Sequence, residues 1–118
     1  MAFTCLIVDD NASFLRAASS LLEREGVTVA GTASNGADAL RLARDLHPDV
    51  VLLDILLGAE SGFDVARALA ANDGDGPTVV FVSTHAETDF ADLINEAPAA
   101  GFLPKSQLSA EAIKRVVG

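Results

Sequence analysis

The 118 residues suffice for one hydrophobic core, which excludes a multidomain enzyme. Half of the chain is apolar and 21% is charged, enough hydrocarbon to offset chain entropy and to exclude a disordered tail. Seventeen acidic against eight basic side chains leave a net charge of −9; Lys and Arg are not segregated into a patch, so direct nucleic-acid binding is not expected.

The chain opens with Thr4 to Val8, an apolar run of strand length without polar alternation, the pattern of a strand covered on both faces. Cys5 lies in this run; a single cysteine makes no intrachain disulfide and reads as a buried, inert thiol in a reducing compartment. A first helix follows, capped by Asp10 or Asn11, with Phe14, Ala18, Leu21 and Leu22 on one face and Gly26 as its stop. Val27 to Thr32 is the second strand. Ser34 or Asn35 precedes a second helix whose Ala39, Leu40, Ala43 and Leu46 share a face, and His47-Pro48 ends it, where an imidazole suits the helix dipole. The third strand, Val50 to Leu53, again does not alternate. Ser61 precedes a third helix with Phe63, Ala66, Leu69 and Ala70 on one face, and the acidic, glycine-rich loop Asn72 to Pro77 leads to the fourth strand, Thr78 to Val82. Glu87 to Glu96 is a weakly patterned fourth helix closed by Pro98; Gly101 to Leu103 is the fifth strand, and Ser109 to Val117 the fifth helix.

Five strands alternating with five helices predict an α/β fold, a doubly wound five-stranded parallel sheet with helices on both faces, as a single domain over residues 1–118. No apolar stretch approaches the roughly 18 residues of a spanning helix, and no basic flank or cleavage site of a secretory signal is present, so the expected location is cytoplasmic.

In open α/β sheets, ligand sites form beyond the carboxyl ends of the strands. Asp9 and Asp10 follow the first strand, Asp54 the third, Ser83 and Thr84 the fourth, and Lys105 the fifth. Singly, each has an ordinary role as a cap, a turn former or a solvated side chain. Together, three carboxylates crowd one edge, where like charges raise one another's pKa and destabilise the fold. A hard divalent cation offsets that repulsion, because Mg²⁺ takes one or two carboxylates, further oxygens and several waters. His85 lies at the mouth of this edge, where a titrating group could influence water or donor access. Phe14, Phe63 and Phe81 read as core.

With these residues in place, the chain resembles the receiver domain of two-component response regulators. The resemblance runs through the whole chain and rests on four ordered motifs: IVDDN (Ile7 to Asn11), VVLLDILL (Val50 to Leu57) with Gly62 after it, VVFVST (Val79 to Thr84) and GFLPKS (Gly101 to Ser106). It implies the flavodoxin-like strand order 2-1-3-4-5. It also implies that Asp54 is the phosphoacceptor, and that Asp9, Asp10, Asp54 and the backbone carbonyl of Leu56 hold Mg²⁺ (or Mn²⁺). Ser83 and Lys105 would contact the phosphoryl oxygens, and Ser83 with Phe102 would form the switch, the ring turning inward after phosphorylation. Output would then pass through the fourth helix, fifth strand and fifth helix. The implied partners are a histidine kinase or phosphotransfer protein carrying phosphohistidine, and an output partner or attached domain, with neither nucleic acid nor membrane bound directly. The domain would be a monomer or a phosphorylation-linked dimer. Such a chain is a phosphorelay switch rather than an enzyme, although it catalyses its own phosphorylation and dephosphorylation.

The chain departs from the family pattern at four points. Gly58 stands where proline is common, leaving the loop less constrained. Thr84 is larger than the usual alanine or glycine, and Phe102 lacks the hydroxyl of the frequent tyrosine. Pro104 precedes Lys105 and Ser106 follows it, where the family often has a proline after the lysine. Leu56 and Thr84 flank the approach of an in-line water, so a long-lived phosphorylated form is expected. Two rivals fare worse. A haloacid-dehalogenase-type, Mg-dependent phosphohydrolase needs an acidic residue where Leu56 stands, and a flavodoxin-like flavin carrier needs glycines and hydroxyls where the chain has DDNAS. Two scopes remain open: a complete single-domain regulator, or the receiver of a DNA-binding transcriptional regulator.

Overall fold

Unbroken apolar runs become the interior strands of one sheet, because helices on both faces leave no wet side to demand alternation. The computed structural model describes residues 3–72, 77–84 and 91–117. Its main sheet comprises β1 (Thr4–Val8), β2 (Thr28–Ala33), β3 (Val50–Asp54), β4 (Thr78–Ser83) and β5 (Gly101–Pro104). All pairings are parallel, in the order β2-β1-β3-β4-β5, the arrangement expected from the sequence. Val27 stays outside β2 because its N–H donates to Leu22 O at 2.9 Å, closing the preceding helix. Cys5 pairs with Val29 but Leu6 with Gly31, so Ala30 is an extra residue that bulges β2.

The helices are α1 (Ala12–Arg24), α2 (Gly36–Leu46), α3 (Gly62–Asn72), α4 (Ala91–Glu96) and α5 (Ala110–Val117). Asn11, not Asp10, caps α1: its Oδ1 accepts the N–H groups of Ser13 (2.9 Å) and Phe14 (3.2 Å), which frees Asp10 from capping. Asn35 caps α2 through Asp38 N–H at 2.8 Å, Ser61 Oγ accepts Phe63 N–H at 3.2 Å, and Ser109 Oγ accepts Ala112 N–H at 3.0 Å. His47 ends α2 in the left-handed region, with φ 49°. The start of the expected fourth helix, His85 and most of the NDGDGP loop lie outside the described residues.

Alternate residues of each strand feed opposite layers. Leu6, Val8, Val51, Leu53 and Phe81 pack with Ala39, Ala43, Phe63, Ala66 and Leu69, and Phe63 meets Phe81 edge-on at 5.0 Å between centroids. Cys5, Ile7, Leu52, Val80 and Val82 pack with Ala18, Leu22, Leu108 and Ile113 on the other side. Burial pushes the Cys5 thiol up to about 12, so it stays protonated and inert. Among the described residues, no helix is long and apolar enough to cross a membrane.

Candidate functional site

Three parallel strands end side by side, so the residues that follow them share one edge of the sheet. Asp9 is fully buried, Asp54 and Ser83 are buried, and Asp10 is exposed. Carboxylate oxygens of Asp9, Asp10 and Asp54 lie within 4.8 Å of one another, as the sequence predicts. Asn11 orients this cluster as well as capping α1, since its N–H donates to Asp9 Oδ1 at 2.8 Å. Asp9 Oδ2 is buried without a hydrogen bond of good geometry; Lys105 Nζ lies 2.6 Å from it.

Lys105 opens a 3₁₀ turn, Lys105–Gln107, directly after β5. Its Nζ also donates to Asp54 Oδ2 at 3.4 Å, while Asp54 Oδ1 accepts the Leu56 N–H at 3.2 Å. Burial, and then the charge of Asp9, raise the Asp54 carboxyl above the ordinary range, against the opposing pull of the Leu56 N–H and Lys105. Burial pulls Lys105 down, but its bonds with Asp9 and Asp54 outweigh that and hold the ammonium above its usual value. The site therefore contains a firmly charged lysine and an unusually basic carboxylate.

A two-stranded hairpin, Leu56–Leu57 against Glu60–Ser61, carries the chain from Asp54 to α3. Gly58 supplies the turn with φ 59°, a left-handed conformation that proline cannot adopt. Gly62 has no alternative: a Cβ there would collide with the Asp54 carbonyl oxygen, and its N–H donates to Ile55 O at 2.7 Å. Leu56 is 47% exposed, and Thr84 is exposed after β4. Phe102 is already buried at 8% exposure, in the cluster with Phe81 and Ile94. The ring thus occupies the inward position in this structure.

Two contacts were not foreseen from the sequence. Glu60 Oε1 accepts the Gly36 N–H at 3.0 Å, tying the hairpin to α2, and Lys105 Nζ stands over the Phe14 ring, 4.5 Å from its centroid. Phe14 was legible as apolar and helical, but its meeting with Lys105 depends on the distant turn after β5.

Residues 5–117 match the response regulator receiver domain family. The chain belongs to this family. It is a receiver domain of two-component signalling; receiver domains bind a divalent metal at an acidic pocket, and this chain has a cluster of three aspartates. It is 36% identical over 113 residues to the DNA-binding response regulator MtrA of Mycobacterium tuberculosis, covering 94% of this chain and 47% of that protein. The signal receiver domain of the response regulator NarL from Mycobacterium tuberculosis superposes with a TM-score of 0.84 at 32% identity, covering 98% of this chain and 94% of that one. A response regulator from Burkholderia pseudomallei, solved with a phosphorylated aspartic acid, a calcium ion and citrate, gives 0.83 at 26% identity, over 98% of this chain and 66% of that one. The chain spans about half the length, or less, of the curated relatives it matches.

Proposed function

We propose that Asp54 accepts a phosphoryl group from the phosphohistidine of a histidine kinase or phosphotransfer protein. The observation that carries this reading is the convergence of Asp9, Asp10 and Asp54 with Lys105 Nζ, which lies within reach of both Asp9 Oδ2 and Asp54 Oδ2. In the transfer, an Asp54 oxygen attacks phosphorus, the P–N bond of the donor breaks, and its electron pair stays on the imidazole nitrogen. Asp54 is buried at the end of β3 with one oxygen held by the Leu56 N–H and the other facing Lys105, which suits it as the nucleophile. Lys105 offers its charge to the phosphoryl oxygens, and Ser83, buried at the end of β4, offers a hydroxyl.

The donor set is all oxygen, three carboxylates lie within 4.8 Å of one another, and the one ammonium beside them among the described residues leaves two negative charges uncompensated, so these residues fit a hard divalent cation. Asp9, Asp10, Asp54 and the Leu56 carbonyl would hold Mg²⁺ or Mn²⁺, which when bound neutralises charge on the transferring oxygens. The phosphorylated aspartate and calcium ion of the Burkholderia relative support this chemistry.

The 118 residues act as one cytoplasmic receiver unit, and the family match over residues 5–117 supports that extent. Output passes through α4, β5 and α5 to a partner or an attached domain, as a monomer or a phosphorylation-linked dimer. The DNA-binding relatives fit a receiver of a transcriptional regulator and a free-standing regulator alike. Incubation with acetyl phosphate and Mg²⁺, followed by intact mass, should add one hydroxylamine-labile phosphate that Asp54→Asn abolishes. Undiminished labelling of the variant would refute the assignment.

A further inference from the structure

Lys105 is gripped from three sides by groups delivered from separate elements. Asp9 follows β1 and Asp54 ends β3, while Phe14 stands on the first turn of α1. The distances from Nζ are 2.6 Å to Asp9 Oδ2, 3.4 Å to Asp54 Oδ2 and 4.5 Å to the Phe14 centroid. Phe14 is half-buried and packs against the core layer that contains Cys5, Ile7 and Val82, so the sheet fixes the ring that meets the ammonium. An aromatic face within about 6 Å of a cation attracts it through the ring quadrupole, more strongly where water is excluded. Lys105 is only 15% exposed at its side chain, which favours that contact.

The three grips differ in what phosphotransfer does to them. Asp54 becomes an acyl phosphate and ceases to be a free carboxylate. Asp9 belongs to the set that would hold a divalent cation, so its charge is shared when the site is loaded. The aromatic face alone is unchanged by the reaction. A lysine has a flexible four-carbon stem and would otherwise be least ordered just when the phosphoryl oxygens need it.

We propose that Phe14 is a positioning residue for phosphotransfer, whose ring keeps the Lys105 ammonium at the carboxylate cluster while its two ion-pair partners change. The inference rests on the reading of Asp54 as acceptor and assigns Phe14 a part in it beyond packing.

Phe14→Leu keeps an apolar side chain against the core and removes the π face; Phe14→Trp restores a stronger one. In saturating Mg²⁺, Phe14→Leu should slow labelling by acetyl phosphate about two- to fivefold, the rate equivalent of a partly exposed cation–π contact. Phe14→Trp should match or exceed the wild type. By NMR, the ε-methylene protons of Lys105 should show an upfield ring-current shift in the wild type and in Phe14→Trp, and lose it in Phe14→Leu. In a Lys105→Gln background, Phe14→Leu should cause no further slowing, whereas a purely structural role would slow both backgrounds equally. Equal slowing overturns the proposal, as does a Phe14→Leu rate equal to the wild type. Wild-type Lys105 ε-methylene protons at unshifted positions overturn it without any variant, which covers a Phe14→Leu protein that fails to fold. A wild type that takes no phosphate at all refutes the acceptor reading and this inference together; a labelled wild type with an unimpaired Phe14→Leu refutes the role of Phe14 alone.

Discussion

Replacing Lys105 by methionine keeps the aliphatic stem and removes the charge that faces Asp9 and Asp54. Asp9 is fully buried and its partner is 15% exposed, 2.6 Å away. Removing one member of a buried pair costs about 3–5 kcal/mol, because the other charge is left uncompensated. The partial exposure of Lys105 and the exposed flank at Asp10 bring the expected loss down to about 2–4 kcal/mol in metal-free buffer. For a domain of this size that corresponds to a fall of about 10 °C or more in Tm. Divalent metal should narrow the gap, since Asp9 no longer has a competing ammonium and saturation at a hundredfold Kd contributes about 2.7 kcal/mol. The chain has no Trp or Tyr, so urea unfolding is followed by far-UV circular dichroism, with chelator and then with Mg²⁺. Asp9→Asn in the Lys105→Met background should recover most of the loss. A metal-free loss below about 1 kcal/mol, or a gap that Mg²⁺ leaves unchanged, would refute the argument that Lys105 balances a buried charge.

Asp54 gives a pH dependence of definite sign: its folded pKa is raised, so its ionised form costs stability above that pKa, and the cost vanishes as pH falls below the unfolded value of about 3.9. In chelator, Asp54→Asn should therefore be more stable than the wild type at neutral pH, with a gap that closes toward pH 4; a gap that widens on acidification contradicts the shift. The phosphorylated form should be long-lived, because the exposed Leu56 offers no hydrogen bond to orient a hydrolytic water, and Leu56→Asn should lose phosphate several-fold faster once donor is removed. Equal decay of the two proteins at every pH across histidine titration would refute that occlusion.

The parallel sheet was legible because its signals are local. Runs such as Val50 to Leu53 lack alternation, and Asn35 and Ser61 announce helices with side chains that do cap them, whereas Ser109, read as the first residue of the fifth helix, caps it instead. The convergence of Asp9, Asp54 and Lys105 followed from one topological rule, since parallel strands end on the same edge. What stayed hidden was set by side-chain direction across long separations. Nothing near Glu60 indicates that its carboxylate reaches Gly36, and nothing near Phe14 indicates a lysine on its ring. The choice between Asp10 and Asn11 as cap was also invisible, yet it matters, because capping by Asn11 leaves Asp10 exposed at the rim of the cluster.

The site is assembled in a state of charge imbalance, and that imbalance is what makes it responsive. One ammonium against three carboxylates leaves the metal-free edge negative, so any ligand that brings positive charge is favoured by mass action. Lys105 limits the cost in the meantime by serving Asp9 and Asp54 at once, and its place directly after Pro104 couples that task to β5, where Pro104 lies opposite Ser83 in register. On the proposed reading of Asp54 as acceptor, the first groups to feel its chemistry would be Lys105, which it contacts, and Ser83 at the neighbouring strand end.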